Sequence, residues 1–132
     1  MNDTHTGAPL PTIAVEDLAD HIARNDVFVL DLRGGRHDRQ VYGALRYDPA
    51  KLLDAPRLTL PLPQNSGLIV VYDEDGTSSN AIAIAEKLRD EGYGKVCTLE
   101  GGFRAYVDAD AKTEETTLEQ PVPLVGDHQI ER

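Results

Sequence analysis

Five consecutive apolar residues, Leu68 to Tyr72, run straight into the polar turn Asp73-Glu74-Asp75-Gly76-Thr77-Ser78, and a striped segment begins at Ser79. No other passage constrains the fold as strongly. A strand that is apolar on both faces has to be covered on both, which is the situation of a central strand in a parallel sheet. Ala81, Ile84, Ala85 and Leu88 recur at helical spacing and give the next segment one apolar stripe, with Gly92 as its stop. The turn therefore lies at the carboxyl end of a parallel strand, where α/β sheets form their binding crevices.

The rest of the chain repeats that alternation. Val15, Leu18, Ala19 and Ile22 mark a first amphipathic helix, with Glu16 and Asp17 in its first turn where the helix dipole favours negative charge. Val27 to Leu30 is a second buried strand ending at Asp31, followed by a polar connection from Gly34 to Gln40 and a short strand within Ala44 to Tyr47. Asp48 and Pro49 form an N-cap and first-position pair for a short helix to about Leu53. A stretch with Pro56, Pro61 and Pro63 then reads as loop, because proline withholds ladder donors. Lys95 to Leu99 is a further strand, and Gly101 to about Asp108 a last helix. The expected architecture is a single α/β domain over 12–108, a parallel sheet with helices on both faces. Residues 1–11 are expected to form a flexible N-terminal arm, and 109–132 an acidic C-terminal tail packing only locally, through Leu124 and Val125.

Composition narrows the function classes. A formal net charge of −10 with scattered basic residues argues against nucleic acid, whose binding depends on Lys/Arg clusters that displace counterions. No apolar run approaches the ~20 residues that cross a bilayer. The opening MNDTHTGAPLP lacks the basic start and apolar core of a secretory signal, so a cytoplasmic location is the expectation. The single cysteine, Cys97, has no partner for an internal disulfide.

Four pieces in order resemble the rhodanese domain, covering roughly residues 12–108. VFVLDLR is similar to its strand followed by Asp-x-Arg, at Asp31 and Arg33. VYGAL is similar to its Gly-Ala turn, at Gly43 and Ala44; LIVVYDEDGTSSNAIAIAEKL resembles its strand, active-site loop and helix; LRDEGYGKVCTLEGGFRAY resembles its closing Gly-Gly-x-x-Ala-aromatic pattern. The resemblance implies a rhodanese-like fold and a sulfurtransferase ancestry. It also locates a departure. Asp73 stands where the family has its nucleophilic cysteine, Gly76 keeps the glycine three residues on, and Ser78 stands where arginine is common. The connection after Arg33 is about two residues shorter than usual for the family, which leaves an expected acidic residue unmatched.

Sulfur transfer needs a thiolate that attacks a sulfane donor and carries a persulfide, and a carboxylate cannot carry sulfane sulfur. With Asp73 at that position no catalytic residue is expected. The active-site-like loop Asp73, Glu74, Asp75, Gly76, Thr77, Ser78 and Ser79, with Asp31 and Arg33 in the crevice, is instead expected to present a cradle of backbone N–H groups filled by Asp73 itself. The functional expectation is a catalytically inactive binding or regulatory module with a protein or small-molecule partner, without cofactor or metal. One alternative is residual sulfurtransferase-related activity. Another is a Mg²⁺-dependent phosphatase, because VVYDEDGTS is similar to the first motif of haloacid-dehalogenase-like enzymes, with Asp73 as nucleophile and Asp75 as acid/base. That family carries its motif early, ahead of a long core with further catalytic residues, whereas only Gly76 to Arg132 follow here.

Other chemistry-bearing residues have plainer readings. Cys97 sits inside a strand pattern as a small buried apolar residue. His5, His21, His37 and His128 have no metal-ligand spacing, and Tyr72 and Phe103 are expected to pack.

Overall fold

A computed structural model describes residues 10–58, 60 and 67–122. Pro61, Pro63, Leu124, Val125, His5, His128 and most of the N-terminal arm lie outside the described residues. The main sheet has strands β1 (Thr12–Ile13), β2 (Val27–Asp31), β4 (Leu45–Arg46), β5 (Leu68–Tyr72) and β6 (Lys95–Leu99) in the order β1-β6-β5-β2-β4. Every pairing in it is parallel. β5 is thus the central strand, as its uninterrupted apolar sequence requires.

Helices α1 (Val15–Arg24), α2 (Pro49–Asp54), α3 (Ser79–Asp90) and α4 (Gly102–Asp108) divide between the two faces. On one face Leu52, Ala81, Ile84 and Leu88 pack with Leu30, Ile69, Val71 and Val96. On the other, Leu18, Phe103 and Tyr106 pack with Val29, Val70, Tyr72, Cys97 and Leu99. The alternate residues of β5 therefore feed two separate cores, and this is why a strand in a covered sheet is apolar at every position. Helix ends follow local chemistry. The Asp48 carboxylate accepts the N–H of Ala50 at 2.9 Å ahead of Pro49, and Ser78 Oγ accepts the N–H of Ala81 at 3.3 Å at the start of α3.

Three elements differ from the sequence reading. Thr12 and Ile13 form an edge strand beside β6, too short for a periodicity to reveal. The polar connection after Arg33 ends in a strand, β3 (Arg39–Val41). The stretch read as an acidic tail begins with another, β7 (Thr113–Glu115), antiparallel to β3 with Gln40 opposite Glu114. Gln40 explains the pairing. Its fully buried side chain donates to Ala44 O at 2.9 Å and to a Glu114 carboxylate oxygen at 2.8 Å, and its Oε1 accepts the N–H of Thr117 at 3.0 Å. The chain beyond β7 continues along the domain, where the N–H of Gln120 donates to Arg46 O at 2.7 Å. A buried amide needs all of its partners, and besides the nearby Ala44 carbonyl these come from Glu114 and Thr117, 74 and 77 residues away.

Candidate functional site

β2 and β5 end side by side, Asp31 level with Tyr72, so the residues that follow both strands share one end of the sheet. Asp73, the first residue after β5, is 6% exposed. Its carboxylate accepts two backbone N–H groups, from Gly76 at 2.6 Å and from Ser78 at 2.6 Å. The loop curls around its own carboxylate. Gly76 has φ +86°, a left-handed conformation that turns its N–H inward at little cost only for glycine.

The loop rests on the start of α4. A Cβ built on Gly102 would lie 2.7 Å from the backbone nitrogens of Asp75 and Gly76, so only glycine admits this approach. The N–H groups of Phe103 and Arg104 donate to the carbonyls of Asp73 and Glu74, both at 2.9 Å. Glu74, Asp75, Gly76, Thr77 and Ser79 are exposed. Asp75 folds back on the loop, accepting Thr77 Oγ1 at 2.6 Å and Thr77 N–H at 3.1 Å, and those bonds hold its carboxyl below the ordinary carboxylate range.

Beside the loop lies a second, buried carboxylate. Asp31 receives the Arg33 guanidinium, Nη2 to Oδ2 at 2.7 Å and Nε to Oδ1 at 3.1 Å, and the Tyr72 hydroxyl to Oδ2 at 2.8 Å. The side chains of Asp31 and Arg33 are 0% and 2% exposed. Arg33 lies 4.1 Å from the centroid of the Phe103 ring, which stacks on Tyr72. Burial alone would lower the Arg33 pKa, but the hydrogen bonds and charge of Asp31 outweigh it and leave it raised. Burial, aided by the Asp31 charge, pushes the Tyr72 phenol far above its ordinary range, so it stays a donor. Glu74 joins the two carboxylate sites, its Oε1 3.7 Å from Arg33 Nη1. No other side chain of the 73–79 loop makes an ion pair with the crevice pair among the described residues.

Two participants were not picked out from sequence. Tyr72 packs, as expected, but its hydroxyl also links Asp31 to the N–H of Val41, which donates to it at 3.1 Å. Arg46 approaches the same carboxylate, Nε to Asp31 Oδ2 at 3.8 Å, with a side chain 9% exposed. An arginine inside a short strand flanked by Leu45 and Tyr47 was the available signal. Cys97 lies midway along β6, bordering an apolar cavity with Leu68 and Val96 at the opening ends of their strands, whereas the 73–78 loop leaves the closing end. Burial raises its thiol pKa to about 11. His21 pairs with Asp26 at 2.8 Å and His37 with Gly34 O at 2.8 Å; no group of three His, Cys, Asp or Glu residues able to hold a metal occurs among the described residues. No helix among them is long and apolar enough to cross a membrane.

The family model described as "Rhodanese-like domain" matches residues 14–109. The chain belongs to the rhodanese-like family. Solved structures share this rhodanese fold. A 3-mercaptopyruvate sulfotransferase from Escherichia coli aligns at TM-score 0.63 and 24% identity over 83% of this chain and 53% of that one, so this chain spans about half of its length. A rhodanese-like domain from Anabaena sp. aligns at TM-score 0.65 and 24% identity, over 80% of each chain. A protein of unknown function from Rhodopseudomonas palustris, described as a possible tyrosine phosphatase, aligns at TM-score 0.65 and 22% identity over 86% of this chain and 99% of that one. No curated protein matches the chain.

Proposed function

We propose that this rhodanese-like domain is catalytically inactive and serves as a binding or regulatory module. One observation carries the reading: both oxygens of the Asp73 carboxylate occupy backbone N–H groups of the loop, at 2.6 Å each, so the cradle holds an anion that belongs to the chain. A thiolate there would use the same donors to stabilise its charge and the persulfide it forms. A carboxylate uses them without gaining a sulfur nucleophile. Exposed Glu74 and Asp75 add negative charge beside the loop and disfavour thiosulfate or phosphate.

The deciding experiment measures sulfur transfer from thiosulfate and from 3-mercaptopyruvate to cyanide or a thiol. The wild-type protein is expected to give no turnover. Asp73→Cys is expected to alkylate readily while turning over thiosulfate poorly, and Asp73→Cys with Ser78→Arg to do better, because a cation then faces the anionic donor. Wild-type turnover abolished by Cys97→Ser would overturn the proposal. So would Mg²⁺-dependent hydrolysis of phosphate monoesters that disappears in Asp73→Asn, since that result makes Asp73 a nucleophile.

A further inference from the structure

The end of the sheet away from the Asp73 loop holds a cavity of a different character. β1 is two residues long and joins β6 at Thr98 and Leu99, so the first residues of β6 have no strand on their outer edge among the described residues. The space left there is a cavity of about 380 Å³ between the starts of β5 and β6 and the chain entering β1. Its floor is apolar. Val96 and Cys97 are buried, and the half-buried Leu68 and Ile13 pack in the same cluster as Cys97. Burial raises the Cys97 pKa to about 11, so at neutral pH the thiol is uncharged and adds to that apolar surface.

The charge around this floor is one-sided. Lys95 and Arg89 border the cavity and no carboxylate does among the described residues, in a chain whose formal net charge is −10. Lys95 opens β6, is exposed, and makes no ion pair among the described residues. A lysine stem can lie along apolar surface while its ammonium group reaches the water at the mouth. An apolar pocket with a few polar groups at its border is the usual form of a small-molecule site. A neutral apolar ligand would leave the cations unused, and an inorganic anion would leave the floor wet. A molecule with an apolar body and one anionic group uses both.

We infer that this cavity binds a small amphiphilic carboxylate, with an apolar body of about eight carbons on the Cys97 floor and its carboxylate toward Lys95. Burial of the body supplies most of the affinity, and the cations at the border select the sign of the head group. The site lies at the opposite end of β5 from the Asp73 cradle. A cradle that proved to turn over sulfur would leave this inference standing, and a cavity that bound nothing would leave the proposed inactivity standing.

The test titrates the full ¹⁵N-labelled chain with octanoate, hexanoate and octanol at matched ionic strength, with acetate as the control. Saturable amide shifts centred on Ile13, Leu68 and Lys95 to Cys97 are expected with octanoate. Hexanoate, shorter by a pair of methylenes, is expected to bind roughly tenfold more weakly. Octanol, which lacks the charge, is expected to bind about threefold more weakly than octanoate. Lys95→Glu, at an exposed position that leaves the fold intact, is expected to weaken octanoate about three- to tenfold and to leave octanol unchanged. Cys97→Leu fills part of the floor and is expected to narrow the preference for octanoate over hexanoate. Shifts no greater than those from acetate, shifts centred on Gly76 to Ser79, an affinity independent of chain length, or octanoate binding unchanged in Lys95→Glu would overturn the inference. Shifts of the same amides with protein concentration alone would assign the cavity to a second copy of the chain and overturn it as well.

Discussion

The two buried carboxylates at this end of the sheet, Asp73 and Asp31, solve the same problem by opposite means. Asp73 is neutralised by its own neighbours in sequence, the N–H groups of Gly76 and Ser78. Asp31 draws on a longer stretch of the chain: Arg33 nearby, Tyr72 from β5 and Arg46 from β4. The first arrangement is a property of a loop, and the second a property of the fold. A loop that satisfies its own charge can be replaced without dismantling the domain, whereas a shared buried carboxylate cannot.

The sharpest test of this difference is a pair of truncations. Asp31→Ala strands two buried guanidiniums and is expected to cost about 3–5 kcal/mol, the usual loss when one partner of a buried pair is removed. Asp73→Ala leaves two N–H groups in a loop that is otherwise exposed, so about 1–3 kcal/mol is expected. Urea unfolding of both variants measures the gap, and equal losses would erase the distinction between loop and fold.

A second variant probes what the loop still requires from elsewhere. Gly102→Ala places a methyl group 2.7 Å from the nitrogens of Asp75 and Gly76 at a φ of +65°. Overpacking against backbone is expected to cost about 1–3 kcal/mol and to displace the Asp73 loop. The melting temperature and the amide shifts of residues 73–78 report the two effects, and a change in stability without loop shifts would show that α4 does not position the loop.

The smallest effect concerns Asp75. Its lowered carboxyl pKa means that the Thr77 bonds contribute at pH values above the ordinary carboxylate range, and that the contribution is lost as pH falls through the lowered value. Thr77→Val removes the hydroxyl donor but keeps the N–H, so the Asp75 midpoint in a carboxyl NMR titration is expected to move up toward its ordinary value. An unmoved midpoint would show that the loop's hydrogen bonds to Asp75 are not what lowers it.

Sequence alone settled what depends on periodicity and on neighbours along the chain. The apolar run at Leu68 to Tyr72, the stripe at Ala81 to Leu88 and the pairing of Gly76 with a following helix are local patterns, and their consequences, a covered central strand and a loop at its end, follow from burial and backbone geometry. Tertiary structure alone decided the rest. That Arg46 shares Asp31 with Arg33, that Tyr72 donates to it, and that Gln40 holds Glu114 across 74 residues depends on which strands lie adjacent and which edge the chain returns to. Polar side chains do not advertise their partners in a linear pattern. A buried charge or amide is stable only where several distant segments converge on it, and that convergence exists only once the chain has folded.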